Sequence, residues 1–91
     1  SLDGVPKDIE LETVKEEALK INGVRSIYHV HVWAMSTTEN AMTAHLVLNR
    51  EASMEKEIQI KHEFRHAMEH LNIRHITVET EKELLLTNTP S

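Results

Sequence analysis

The chain has 91 residues, enough for one domain with a modest core but too few for two. It contains no cysteine, which excludes disulfides and thiolate metal sites, and its formal charge of −5 with neutral histidines makes nucleic acid an unfavourable partner. The composition is unusual in its seven histidines, because neutral imidazole is the commonest metal ligand in proteins.

The first predicted element is a helix that follows a lead-in of residues 1–7. Asp8 is placed to cap this helix through its carboxylate. Apolar residues then recur at helical spacing, at Leu11, Val14, Ala18 and Ile21. Asn22 and Gly23 should end the helix, since glycine readily adopts the left-handed conformation found there. No apolar run approaches the roughly 20 residues that span a bilayer, so we expect a soluble chain without a targeting signal.

Two predicted strands come next and should pair as an antiparallel hairpin. Residues 24–34 (VRSIYHVHVWA) and 41–49 (AMTAHLVLN) both alternate between apolar and polar side chains, and a short polar turn over residues 36–40 joins them. If the turn is centred on Thr38, His31 lies directly opposite His45.

A second helix and a third strand complete the predicted fold. Ser53 should begin the helix, which carries an apolar stripe and runs to about Asn72. Residues 73–81 (IRHITVETE) alternate as a strand, and residues 83–91 are expected to be a flexible tail after an ordered core of about 7–82. The whole chain is thus predicted to be one α+β domain, an open αββαβ sandwich with a mixed three-stranded sheet and both helices on one face.

Side-chain parity sends the potential ligands of all three strands to the sheet face away from the helices. This outer face should carry His29, His31, His45, His75, Glu79 and Glu81. Such a set of imidazoles and carboxylates suits zinc or a comparable divalent ion. The alternative is a metal-independent protein interface on the same face, with Trp33 and Val47 as its apolar part.

A second group of histidines lies on one face of the second helix, at His62, His66 and His70. Neighbouring members could hold a metal more weakly. Residues 62–66 also match the H-E-x-x-H pattern of zinc proteases, with Glu63 as the general base. We favour a non-enzymatic protein without a small-molecule substrate, because the chain has no second lobe to form a cleft and neither a nucleophile elbow nor a glycine-rich phosphate loop.

Three segments, GVRSIYHVHVW (residues 23–33), TAHLVL (43–48) and HITVETE (75–81), resemble the C-terminal cytoplasmic domain of cation diffusion facilitator transporters of the cobalt-zinc-cadmium efflux type. The resemblance implies a ferredoxin-like, metallochaperone-like homodimer on the cytoplasmic side of a bacterial inner membrane. It implies a proton-coupled exporter of Zn²⁺, Cd²⁺ or Co²⁺ whose transmembrane domain is absent from this chain, and an interface metal that draws the two domains together. It also implies His45 and Glu81 as metal ligands.

Two segments depart from the family pattern. Residues 27–33 read IYHVHVW where many relatives read V-H-D-L-H-V-W, so Tyr28 occupies a frequent ligand position and His29 stands where aspartate is common. Glu79 replaces a usual glutamine or histidine. The resemblance therefore predicts a site rebuilt around His29, His31, His75 and Glu79.

Overall fold

The computed structural model describes residues 5–84, which form two helices and three strands. These are α1 (Leu11–Leu19), β1 (Val24–Ala34), β2 (Asn40–Leu48), α2 (Met54–His70) and β3 (His75–Lys82). The sheet order is β1-β2-β3, with β1 antiparallel and β3 parallel to the central strand β2. The predicted αββαβ order and mixed sheet are confirmed. Within residues 5–84, none of the helices has the length and apolar character needed to cross a membrane.

One face of the sheet packs against both helices to form the core. Strand β2 contributes its alternate residues, which are all buried: Met42, Ala44, Leu46 and Leu48. Helix α1 adds Val14 and Ala18, and α2 adds Ile60, Phe64 and Met68. Each large apolar side chain buried in this way stabilises the fold by roughly 1.5–3 kcal/mol. The parity predicted for β2 is therefore correct, and its odd-numbered residues, including His45, face away from the helices.

The two helices begin in different ways. Ser53 caps α2 as predicted, since its hydroxyl accepts a hydrogen bond of 3.0 Å from the amide of Lys56. The prediction that Asp8 caps α1 is wrong. Helix α1 starts after Glu10 without a side-chain cap, and Asp8 lies in a turn closed by the Ile9 amide and the Pro6 carbonyl at 3.0 Å.

The turn between α1 and β1 requires a glycine. Gly23 has φ of +104°, and a Cβ atom built on it would lie 2.7 Å from Cδ1 of Ile60 in α2. Both observations disfavour any residue with a side chain. The Gly23 carbonyl also accepts a hydrogen bond of 2.8 Å from the amide of Asn49, which joins the start of β1 to the end of β2.

The register of the β1–β2 hairpin differs from the predicted one. Ala34 pairs with Asn40 across a loop of residues 35–39, so the turn is centred one residue earlier than Thr38 and His31 pairs with Thr43. A bulge between Tyr28 and His31 then shifts the pairing again, and Tyr28 becomes the partner of His45. The predicted pairing of His31 with His45 is therefore wrong.

The start of β2 is fixed by a buried asparagine that the sequence placed in a polar turn. Asn40 is only 6% exposed, and its side-chain amide donates a hydrogen bond of 3.0 Å to the carbonyl of Asn72. Its own carbonyl accepts from the amide of Arg74 at 3.2 Å. Asn72 has a φ of +66°, which ends the helical stretch two residues earlier than predicted, at His70.

Strands β1 and β3 are the two edges of the sheet. On β3, Arg65 of α2 donates a hydrogen bond of 2.8 Å from Nη1 to the carbonyl of Ile76, and the hydroxyl of Thr80 donates to Glu57. Beyond β3, the Glu83 amide donates to the Leu48 carbonyl at 2.8 Å, so the chain is still paired at the first residue of the predicted tail. The rest of that tail, residues 85–91, lies outside the described residues.

Candidate metal centre

Three aromatic rings meet on the outer face of the sheet around His45. The ring of Tyr28 stacks on that of His45 with centroids 4.9 Å apart, and the ring of His29 approaches His45 edge-on at 5.3 Å. Both neighbours come from the bulge in β1. His29 has a φ of +51°, which is uncommon for a residue with a side chain, and this conformation brings two consecutive residues beside one partner.

Two carboxylates of β3 border this ring cluster. Glu79 is the register partner of His45 in the parallel pair β2–β3, and its Oε1 lies 3.6 Å from Nδ1 of His45. Glu81 accepts a hydrogen bond of 2.5 Å from the hydroxyl of Tyr28. That hydrogen bond to the Glu81 carboxylate, with a smaller contribution from desolvation, raises the pKa of the Tyr28 phenol. The cluster thus combines two imidazoles, a phenol and two carboxylates.

The other two histidines predicted for this site lie apart from the cluster. His75 is at the start of β3, four residues before Glu79 and so about 13 Å along the strand. Its Nε2 is 2.9 Å from Oε1 of Glu39, a residue of the hairpin loop that the sequence did not single out. His31 is exposed and opposes Thr43. The six predicted ligands are therefore distributed over the outer face instead of forming a single group.

Within one chain, the cluster around His45 does not form a complete set of metal ligands. In the stretch from residue 5 to residue 84, no three side chains of histidine, aspartate or glutamate come together in a way that could hold a metal ion. Within this cluster, His45 and Glu79 bring an imidazole nitrogen and a carboxylate oxygen within 3.6 Å of each other. Further ligands require a rotation of neighbouring side chains or a contribution from a second chain.

Apolar surface is exposed near one end of the outer face. Trp33 is 40% exposed, and Met35, which follows it by two residues, is 55% exposed. Val47, the other residue predicted for an interface, is half-buried on β2, where it pairs with Ser26 on one side and Glu81 on the other. Large exposed side chains next to one another commonly mark protein interfaces.

The histidines of α2 pair differently from the H-E-x-x-H pattern. Nε2 of His66 lies 3.3 Å from Nε2 of His70, so His66 pairs with the residue after it on the helix face and not with His62. The Glu63 carboxylate accepts a hydrogen bond of 3.0 Å from the side-chain amide of Gln59. The arrangement of a protease site, with His62 and His66 paired around a free Glu63, is not present in the described residues.

Sequence reasoning identified the outer-face histidines but missed the role of Tyr28. The residue was noted as standing at a ligand position of the resembled family, yet strict alternation with the outward-facing His29 would turn its side chain toward the helices. The bulge reverses that parity, and the sequence around His29 contains no glycine that would have signalled it. Glu39 was missed because side-chain alternation predicts direction only within strands, and Glu39 lies in the hairpin loop.

Comparison with known proteins identifies the family of this chain. Residues 6–83 match the ZT_dimer family, described as the cytoplasmic domain of cation efflux proteins. The "cadmium, cobalt and zinc/H(+)-K(+) antiporter" of Bacillus subtilis is 24% identical over 82 residues, which are 90% of this chain and 26% of that protein. The "metal cation efflux system protein CzcD" of Cupriavidus metallidurans is 28% identical over 81 residues, covering 88% of this chain and 25% of that protein. The chain therefore spans about a quarter of the length of these relatives.

The fold is also similar to that of a solved structure from the same family. The metal-bound C-terminal domain of the CzcD transporter of Cupriavidus metallidurans superposes with a TM-score of 0.70 at 26% identity, covering 80% of this chain and 99% of that one. The predicted α+β, ferredoxin-like class and the predicted family are both confirmed. The chain belongs to the family of cytoplasmic domains of cation efflux proteins.

Proposed function

We propose that this domain binds Zn²⁺, with Cd²⁺ or Co²⁺ as related ions, on the outer face of its sheet and regulates a cation exporter through a metal-dependent homodimer. The observation that carries the proposal is the pairing of His45 with Glu79 on adjacent strands, with the ring of His29 5.3 Å from that of His45. Family membership supports the assignment to an exporter, and cadmium, cobalt and zinc are the metals for which the Bacillus subtilis relative is named.

The separation of the paired atoms suits a shared ion. Zinc binds imidazole nitrogen and carboxylate oxygen at about 2.0–2.2 Å, so a nitrogen and an oxygen on one tetrahedral zinc lie about 3.4 Å apart. Nδ1 of His45 and Oε1 of Glu79 are 3.6 Å apart. Small rotations of these two side chains would bring both atoms into coordination, and the exposed Glu79 carboxylate can make that movement at little cost.

Two residues of the same chain can complete the ligand set. His29 needs a rotation of its ring toward the shared position. Glu81 needs to release the hydroxyl of Tyr28, so metal binding and the Tyr28–Glu81 hydrogen bond compete for one carboxylate. While Glu81 keeps its hydrogen bond to Tyr28, one chain offers three ligands, and a second copy of the chain can supply the fourth, which links ion binding to dimer formation.

Regulation follows from this linkage. An ion that binds the closed dimer more tightly than the open one shifts the population toward the closed form. The shift in the free energy of closure cannot exceed the difference between the two binding free energies. We propose that the transmembrane domain of the full-length protein, on the cytoplasmic side of the membrane, responds to this closure and exports cations in exchange for protons.

Isothermal titration of the chain with zinc tests the site. We expect wild type to bind zinc, and H45A and E79A each to lose more affinity than the roughly 10- to 100-fold that removal of an outer-shell partner costs. H31A is the matched control, since His31 is an exposed histidine of β1 that opposes Thr43. Equal binding by wild type, H45A and E79A, or an equal loss in H31A, would show that the ion does not bind here.

A metal-independent dimerisation module is the second candidate, favoured by the exposure of Trp33 and Met35. Analytical ultracentrifugation with a chelator and with zinc separates the two functions. The metal-linked proposal predicts that zinc strengthens the dimer and that H45A removes this effect. A dimer that is indifferent to zinc but weakened by W33A would support the second candidate instead.

A further inference from the structure

The geometry of α2 points to a second divalent-metal site, a two-histidine chelate made by His66 and His70 on the helical side of the protomer. The family match covers these residues without assigning them a role, and the outer-face proposal does not use them. The site would take a zinc ion through both Nε2 atoms, with water in the remaining positions, and would fill in a single protomer.

The distance between the two nitrogens matches the requirement of a tetrahedral ion. Zinc holds imidazole nitrogen at about 2.0–2.1 Å, so two such nitrogens lie about 3.3–3.4 Å apart at a tetrahedral centre. Nε2 of His66 and Nε2 of His70 are 3.3 Å apart, and the two rings are nearly perpendicular, at 81°. When both rings carry their proton on Nδ1, neither Nε2 atom bears a hydrogen, and both nitrogens are free to bind a cation.

The helix holds this geometry in place. His66 and His70 are four residues apart on α2, and residues at this spacing are neighbours on a helix surface. The same helix turn is anchored to the core through Met68, which is fully buried. The backbone therefore keeps the two side chains adjacent before an ion arrives, and binding has to restrict only their rotamers.

The surroundings favour a cation without supplying a third protein ligand. The pair lines a groove of about 670 Å³ between α1 and α2, together with His62, Glu63 and Glu17. The two carboxylates are already engaged, Glu17 by Lys20 at 2.9 Å and Glu63 by Gln59 at 3.0 Å. Lys20 lines the same groove and offsets the charge of Glu17, so the favourable local potential comes from Glu63, and the groove leaves space for the waters that complete the coordination.

The position of the pair makes it independent of the outer-face site. Its residues belong to α2, whose buried face packs on the opposite side of the sheet from His45 and Glu79. Occupation of the chelate therefore requires neither a second chain nor any movement of the outer-face cluster. Each protomer should therefore have two classes of zinc-binding site. Binding at the outer-face site is linked to dimerisation, and binding at the chelate is not.

Zinc titration of the untagged chain in the double variant H45A/E79A tests the chelate, because the outer-face pair is then removed. We expect one residual zinc ion per protomer, and addition of H66A or H70A should weaken it at least tenfold. H62A is the matched control, since His62 is an exposed histidine of the same helix and groove, and it should change the affinity less than threefold. Nitrogen-15 spectra of the imidazoles should show zinc-induced shifts at His66 and His70 but not at His62.

Three results would overturn the chelate. These are no residual zinc binding in H45A/E79A, a loss in H62A as large as that in H66A, or imidazole shifts that omit His70. All the substituted side chains except His45 are exposed, and circular dichroism of each variant verifies that the fold is retained. The outer-face proposal is tested separately, because it predicts zinc-linked dimerisation in the variant H66A/H70A.

Discussion

Tyr28 lies directly opposite His45 in the β1–β2 pair, and its ring stacks on the imidazole with centroids 4.9 Å apart and planes inclined by 30°. The hydroxyl at the far end of the same ring donates to Glu81. Tyr28 thus touches one proposed ligand with its face and another with its oxygen. Metal binding would have to break or shift these two contacts, so Tyr28 adds to the energetic cost of rearranging the two ligands.

The titration of Tyr28 should report this contact. Since its pKa is raised mainly by the hydrogen bond to Glu81, we expect the phenol to ionise above the ordinary value of about 10, and E81Q should lower its pKa. The stability that the contact contributes is present below the pKa of the unfolded chain and is lost as pH rises through the raised value. Ultraviolet absorbance measures this directly, because the chain has a single tyrosine.

Two controls sharpen this titration. E79Q should lower the pKa less than E81Q, because Glu79 affects Tyr28 through charge alone and contributes least to its shift. Zinc should lower the pKa of Tyr28 if the ion draws Glu81 away from the phenol. A titration that is unchanged in E81Q would contradict the hydrogen bond.

Zinc binding should weaken in acid. Protons compete with metal for imidazole nitrogen, and the reference pKa of histidine in model peptides is about 6.5. We expect zinc affinity to fall at least about tenfold between pH 8 and about pH 5.5. Calorimetry at several pH values measures it, and a constant affinity over this range would argue against imidazole ligands.

Replacement of Gly23 by alanine should destabilise the domain by about 1–3 kcal/mol. The backbone at this position has a φ of +104°, and the added methyl group would meet Ile60. Urea unfolding of G23A measures the loss. N22A serves as the control, because Asn22 is an exposed residue of the same turn, and equal stabilities of the two variants would contradict the conformational argument.

Asn40→Ala should cost about 1–3 kcal/mol of unfolding free energy, because it removes a nearly buried side chain together with the half-buried hydrogen bond that its amide donates to the carbonyl of Asn72. Chemical denaturation provides the measurement. N49A is the comparison, since the Asn49 side chain bonds only an exposed amide, that of Glu51, and its loss should be less than about 1 kcal/mol. A smaller effect for N40A than for N49A would refute the role of Asn40.

Much of the fold could be predicted because its signals are local and repeated. The alternation of apolar residues identified the buried face of β2, which is formed by Met42, Ala44, Leu46 and Leu48. Ser53 identified the start of α2. Both features depend on interactions among residues that are close in sequence. The family resemblance was likewise confirmed over most of the chain.

The errors arose where the outcome depended on residues distant in sequence. The bulge at His29 is stabilised by the pairing of two strands, and no residue type there requires it. Asp8 lost its capping role to a turn that begins at Pro6. The candidate site inherited the first error, because a shift of one residue exchanged which side chain of β1 meets His45.

The contact between Arg65 and the carbonyl of Ile76 has a consequence for self-association. An open strand edge is a template on which another molecule's strand can add, and such addition is the first step toward fibrils. On β3 the guanidinium binds a backbone carbonyl of this edge strand, and it places a positive charge beside the edge. Sheet extension is therefore disfavoured at β3, and an R65A variant would expose this edge to fibrillar aggregation.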